Sequence, residues 1–145
     1  MTTRLDVAAA PGHLIRRAHQ IAVAFFSEHL ALADVTPVQF AILSAVLDAP
    51  GIDQISLAKR VAFDAATSGS VIGRLEAKGW LRRQPDAADR RRKLLVVTSE
   101  GEQALHGMQQ AVALVQVQIL SPLSPDEQAR FVDLLARLVQ GHEAA

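Results

Sequence analysis

Residues 64–101 open with Asp64-Ala65-Ala66-Thr67-Ser68-Gly69-Ser70-Val71-Ile72-Gly73-Arg74-Leu75-Glu76-Ala77-Lys78-Gly79 and continue with Trp80-Leu81-Arg82-Arg83. Gln84-Pro85-Asp86-Ala87-Ala88-Asp89-Arg90-Arg91-Arg92-Lys93 follows, then Leu94-Leu95-Val96-Val97 and Thr98-Ser99-Glu100-Gly101. The first run is helix-sized and rich in small polar side chains, with Asp64 as its N-cap and Gly79 placed to close it. The rest reads as a hairpin with a charged tip and an apolar returning strand. A helix of small polar residues beside an arginine-tipped hairpin suits insertion into two neighbouring DNA grooves.

Helix-start signals extend this reading in both directions. Thr36-Pro37-Val38-Gln39 joins an N-cap threonine to proline at the first helical position and glutamine at the capping-box position. Ser124-Pro125-Asp126-Glu127 repeats that logic, and Ser99-Glu100-Gly101-Glu102 reads as a third capping box. The predicted helices cover residues 12–33, 37–48, 55–61, 65–78, 99–120 and 125–141. On the first, Leu14, Ala18, Ile21, Ala22 and Phe25 share one face at helical spacing. The predicted fold is mainly α with a small β-hairpin wing, a winged helix-turn-helix with helices added at both ends. At 145 residues, half of them apolar, the chain suits one domain, 1–145.

The outer helices carry more apolar surface than one stripe needs. Ala104, Leu105, Met108, Ala111, Val112, Val115, Ile119 and Leu120 form one set, and Phe131, Leu134, Leu135, Leu138 and Val139 another. Intramolecular core accounts for part of this excess. Residues 12–35 and 99–141 are expected to form a two-fold dimer interface, leaving 36–98 as the DNA-binding lobe; a palindromic operator would require that symmetry.

The net charge is zero, but it is unevenly distributed. Residues 54–93 hold ten basic and four acidic side chains, whereas the remainder holds five basic and eleven acidic. A chain so polarised presents one basic face to a polyanion. The absence of cysteine excludes disulfides, thiolate metal sites and thiol redox sensing. The first eleven residues show no signal-peptide pattern, and no apolar run approaches the ~20 residues that cross a bilayer. The expectation is a cytoplasmic protein with no membrane contact.

Within the helix-turn-helix, Val71, Leu75 and Ile72 are expected to face inward, leaving Thr67, Ser68, Ser70 and Arg74 on or beside the exposed face. Hydroxyls serve bases or phosphates, and arginine grips guanine bidentately. Gly69 and Gly73 cost helix propensity, which is tolerable if a groove wall approaches closely. An ordinary polar helix face would look much the same, so the hairpin decides. Arg90, Arg91 and Arg92, continued by Lys93, are costly to cluster unless a polyanion neutralises them. Arg91 is the best placed for a narrow minor groove, with Asp89 holding a neighbouring arginine.

Asp89-Arg90-Arg91, followed by Leu95, Val97, Thr98 and Gly101, resembles the wing signature of the MarR family of bacterial regulators. Arg74-Leu75-Glu76-Ala77-Lys78-Gly79-Trp80 resembles that family's recognition-helix ending, and Leu57-Ala58 its preceding helix. The likeness spans residues 14–139. It implies a homodimeric winged helix-turn-helix repressor that binds a double-stranded operator. It also implies release by a small anionic, often aromatic, ligand held between dimerisation helices and DNA-binding lobe. Within the family, Pro11-Gly12-His13-Leu14-Ile15-Arg16-Arg17 and Asp64-Ala65-Ala66-Thr67 most resemble regulators of aromatic or heteroaromatic acid breakdown. Lack of cysteine excludes the family's peroxide-sensing branch.

For the effector, Arg17 flanks the apolar face of the first helix and can pair with a carboxylate, with His13, His19 and Gln39 as accessories. An ion pair within the dimer accounts for Arg17 equally well. The alternatives are a metal-responsive or a ligand-independent regulator of the same fold. His13, His19, His29, His106 and His142 show no tight ligand spacing, so no metal or cofactor is expected. No nucleophile elbow, phosphate-binding loop or H-E-x-x-H motif supports an enzyme.

Overall fold

The computed structural model describes residues 3–143. Two compact units divide the chain. One joins the residues up to Phe25 with those from Ala113 onward, and the other is Phe26–Val112. The elements in order are α1 (Pro11–Leu30), α2 (Pro37–Asp48), β1 (Ile52–Asp53), α3 (Gln54–Arg60), α4 (Ala65–Ala77), β2 (Leu81–Pro85), β3 (Lys93–Val97), α5 (Ser99–Leu120) and α6 (Pro125–Glu143). Single 3-10 turns lie at Val7–Ala9 and Ala31–Ala33. The predicted helices are all present, and α2 and α5 have the predicted limits. The unpredicted element is β1, two residues long, which turns the hairpin into a three-stranded antiparallel sheet ordered β1-β3-β2.

The Phe26–Val112 unit is built around α2. Its N-terminus carries the predicted capping box: the Gln39 amide donates to Thr36 Oγ1 at 3.1 Å, and the Thr36 amide to Gln39 Oε1 at 3.3 Å. Ile42, Leu43 and Val46 of α2, Leu57 of α3, Ile72 and Leu75 of α4 and Leu95 of β3 are wholly enclosed. Burying each of these side chains contributes roughly 1.5–3 kcal/mol. Together they fix α3 and α4 as a helix-turn-helix against the sheet. Its turn passes through Ala62 in the left-handed region (φ 59°).

The hairpin pairs Leu81 with Val97 and Pro85 with Lys93, leaving residues 86–92 as its tip. The base of the wing is closed by the residues that carry the family likeness. Gly79, at φ 79°, ends α4 in a left-handed cap, and the Trp80 amide reaches back to the Leu75 carbonyl. The N-cap of α5 is Thr98, one residue before the predicted Ser99. Its hydroxyl accepts from the Gly101 amide at 3.1 Å.

The other unit contains α1 up to Phe25, the end of α5 from Ala113, and α6. Ser124 and Glu127 form the predicted capping box of α6, with the Ser124 amide donating to Glu127 Oε1 at 2.9 Å. Gln128 Nε2 donates to the carbonyls of Leu120 and Leu123, fastening the turn between α5 and α6. Along α6 no described residue is buried, and Phe131, Leu134, Leu135, Leu138 and Val139 stay 40–48% exposed. Among the described residues, no single helix is long and apolar enough to cross a membrane.

Candidate nucleic-acid interface

The N-terminus of α4 is set by Asp64. Its Oδ1 accepts from the Thr67 amide at 2.7 Å and its Oδ2 from the Thr67 hydroxyl at 2.9 Å. The amide bond first, and then the hydroxyl bond, hold the Asp64 carboxyl below its ordinary range. Thr67, Ser70 and Arg74 stand exposed on this helix, as predicted. Ser68 does not: it is completely enclosed, and its hydroxyl has no hydrogen-bond partner. The inward stripe of α4 is Ser68, Ile72 and Leu75, spaced four and three residues apart, while Val71 is only half-buried. Ser68 therefore has no path to a DNA groove, which corrects its expected place on the reading face.

The two glycines of α4 also face the protein itself. A methyl group at Gly69 would lie 3.3 Å from Gln54 Nε2, and one at Gly73 would lie 3.8 Å from Arg83 Nη2. Behind them runs a polar chain that links three elements. Arg83 Nε of β2 donates to Glu76 Oε1 of α4 at 2.6 Å, and Arg83 Nη1 reaches Gln54 Oε1 at the start of α3 at 3.5 Å. Gly69 and Gly73 thus admit side chains of α3 and β2, whereas the sequence suggested a groove wall.

The wing tip is held by short-range backbone bonds. Asp86 Oδ1 accepts from the Ala88 amide and Asp89 Oδ1 from the Arg91 amide, both typical aspartate turns. Asp89 therefore orients the backbone of Arg91 and leaves its guanidinium alone. Among the described residues, the guanidinium groups of Arg90 and Arg91 have no hydrogen-bond or ion-pair partner, and both residues are exposed. Arg92 differs. Its Nη2 lies 2.8 Å from Asp53 Oδ2 and its Nη1 3.8 Å from Asp86 Oδ2.

Asp53 is the N-cap of α3, a residue that sequence reasoning passed over because the helix was expected to start at residue 55. Its Oδ1 accepts from the Ser56 amide at 2.9 Å, and its Oδ2 accepts from the Ser56 hydroxyl at 2.7 Å as well as from Arg92. These bonds, led by the Ser56 hydroxyl and then Arg92, hold the buried Asp53 carboxyl far below the ordinary range. Asp53 in turn raises the Arg92 guanidinium above its usual value. The Asp53-x-x-Ser56 spacing was the available sequence signal.

The residues expected around an effector are distributed over both units. On α1, Arg17 Nη1 donates to Gln20 Oε1 at 2.6 Å, His13 Nδ1 lies 3.2 Å from Arg16 Nη2, and His19 is exposed. Gln39 belongs to the other unit, where it is buried and its side-chain oxygen serves the α2 capping box. Among the described residues, no group of three histidine or acidic side chains is arranged to hold a metal ion.

The MarR family model matches residues 33–92, from the end of the first 3-10 turn after α1 to the wing arginines. Transcriptional regulator HosA of Escherichia coli O157:H7 is 35% identical over 119 residues, spanning 79% of this chain and 88% of HosA. Among solved structures, the PcaV transcriptional regulator of Streptomyces coelicolor in complex with its natural ligand is 34% identical, with a TM-score of 0.84 and coverage of 96% of this chain and 98% of that one. BpsR of Bordetella bronchiseptica, whose DNA binding is regulated by 6-hydroxynicotinic acid, is 31% identical with a TM-score of 0.89, covering 94% and 98%. With the same helix order, the same small sheet and relatives of this likeness along most of its length, the chain belongs to the MarR family of DNA-binding transcriptional regulators.

Proposed function

We propose that this regulator represses transcription by binding a palindromic operator as a homodimer, and that a small aromatic carboxylate releases it. Residues 36–98 serve as the DNA-binding lobe. Thr67, Ser70 and Arg74 of α4 read the major groove, while Arg90 and Arg91 enter the flanking minor groove. The observation that carries this reading is the state of the wing tip: two exposed arginines with no internal partner, on a backbone fixed by Asp86 and Asp89. Unpaired guanidinium groups on a rigid turn are arranged for an external anion.

Residues 12–35 and 99–141 serve dimerisation in this reading. Its support is the apolar side of α6, left nearly half exposed along its length, since contiguous apolar surface of that kind marks an interface. The likeness to BpsR supports an aromatic acid as effector. Arg17 is the residue on α1 suited to the carboxylate, its present partner being the neutral Gln20. Such an effector must favour a DNA-incompetent arrangement over the competent one, or it shifts nothing.

The test is operator release. A duplex recovered by the protein from a randomised library is titrated with hydroxylated benzoates and nicotinates while binding is followed by fluorescence anisotropy. At least one acid is expected to release the duplex, and Arg17→Ala is expected to abolish that response while leaving operator affinity within about twofold. If no acid at millimolar concentration changes either DNA affinity or melting temperature, the effector reading is wrong.

A further inference from the structure

Arg92 closes the wing. Its carbonyl accepts from the Asp86 amide at 2.9 Å and its own amide donates to the Asp89 carbonyl at 3.0 Å, so it is the last residue of the tip before β3. From there the guanidinium reaches back to Asp53, the N-cap of α3, and to Asp86. One cation facing two carboxylates within 4 Å offers no net positive charge to a phosphate. Arg90 and Arg91, one and two residues earlier, have no such partners.

The next residue after Asp53 makes the complementary connection. Gln54 receives Arg83, which is paired with Glu76 of α4 at 2.6 Å. Two consecutive residues at the start of α3 thus hold the wing on one side and the recognition helix on the other. The strand ladder, with Asp53 opposite Leu94, and Arg83 fix the base of the hairpin, whereas Arg92 is the side chain that ties its tip to α3.

We infer that Arg92 is a positioning residue: through its ion pair with Asp53 it fixes the wing against α3, so that Arg90 and Arg91 meet DNA in the register α4 sets, and it neutralises no phosphate itself. The inference rests on the DNA reading proposed above. It reassigns Arg92 from a direct contact, which the sequence suggested, to a support for the contacts beside it.

The competing role makes an opposite prediction. If Arg92 gripped a phosphate and Asp53 merely competed for it, Asp53→Asn would free the guanidinium, tighten binding and steepen its salt dependence. If Arg92 positions the wing, Asp53→Asn loosens the wing and weakens binding. Asparagine retains the N-cap function at residue 53, so α3 keeps its start.

The experiment measures affinity against salt concentration for full-length wild type, Asp53→Asn, Arg92→Met, the double variant and Arg92→Lys, with Arg91→Ala as reference. The probe is a labelled duplex recovered by the wild-type protein from a randomised library. Asp53→Asn and Arg92→Met should each weaken binding about tenfold with the salt slope unchanged, and the double variant should bind no worse than either. Arg92→Lys should recover part of the loss. Arg91→Ala should instead reduce the slope by about one counterion. Tighter binding by Asp53→Asn, a slope reduced by Arg92→Met, or additive losses in the double variant would each overturn the inference. Should Arg92→Met fail to fold, unchanged affinity in Asp53→Asn alone overturns it. Failure of the wild type to recover any duplex strikes at the DNA reading itself, a result distinct from all of these.

Discussion

The Thr98 hydroxyl donates a 2.5 Å hydrogen bond to the Gly79 carbonyl, joining the end of α4 to the start of α5. The Thr98 amide adds a second bond, to the Trp80 carbonyl at 3.0 Å. The last turn of α4, the end of the wing and the first turn of α5 therefore share one junction. Gly101 completes it, because a side chain there would overlap the Trp80 carbonyl oxygen and lie 2.9 Å from Val97 Cγ1.

Gly101→Ala should accordingly destabilise the protein by about 2–3 kcal/mol, since the obstructing atoms are mostly backbone and cannot rotate away. Gly107, also in α5, has open space where a methyl group would go. Gly107→Ala should raise stability by up to about 1 kcal/mol through helix propensity alone. Urea denaturation of the two variants checks the contrast; equal effects would mean that the junction is looser than described.

Ser68 and Ser70 are two residues apart and should behave as opposites. Ser68→Ala removes an enclosed hydroxyl that has no partner, so stability should hold or rise by about 1 kcal/mol, with DNA affinity unchanged. Ser70→Ala should leave stability within about 0.5 kcal/mol and relax preference among operator bases. Binding to a set of single-base operator variants distinguishes them. A base-preference change from Ser68→Ala would contradict the inward orientation of that residue.

The acid behaviour of the wing tie follows from Asp53. Its carboxyl is held well below the ordinary aspartate value of about 4. A depressed pKa contributes stability that is fully present above the unfolded value and is lost as pH falls through the folded one. The stability difference between wild type and Asp53→Asn should therefore stay constant from neutrality to about pH 5 and shrink only at greater acidity. Urea midpoints measured across that range test this, and a difference already collapsing near neutrality would show that the carboxylate is not held as described.

The exposed side of α6 carries the dimer prediction. Leu135→Glu places a charge amid Phe131, Leu134, Leu138 and Val139, all of which stay part-exposed in the single chain. It should shift sedimentation from dimer toward monomer at micromolar concentration and weaken operator binding at least tenfold. A wild-type protein that sediments as a well-folded monomer at that concentration would remove the basis for the two-fold model.

Much of the fold was legible because its punctuation is local. Thr36, Asp64 and Ser124 cap their helices through side chains acting three residues ahead, and that spacing is visible in the chain. The strand at Ile52–Asp53 escaped notice because two residues carry no periodicity; it exists only through pairing with Leu94 and Leu95, some forty positions away. Ser68 was misplaced for a related reason. A helix wheel drawn from polarity alone assigns a serine outward, whereas the α4 stripe is set by how α2 and α3 pack against it. In sequence, Arg92 reads as one more free cation beside Arg90 and Arg91. What separates Arg92 is Asp53, 39 residues earlier, and no local pattern reveals that pairing.

In the proposed binding mode the wing tip meets DNA through its unpaired arginines, and operator affinity as a function of salt, for wild type and Arg91→Ala, tests this most directly. Arg91→Ala should bind more weakly, with a slope of log affinity against log salt smaller by about one counterion and an unchanged melting temperature. Affinity and slope both identical to those of wild type would contradict it.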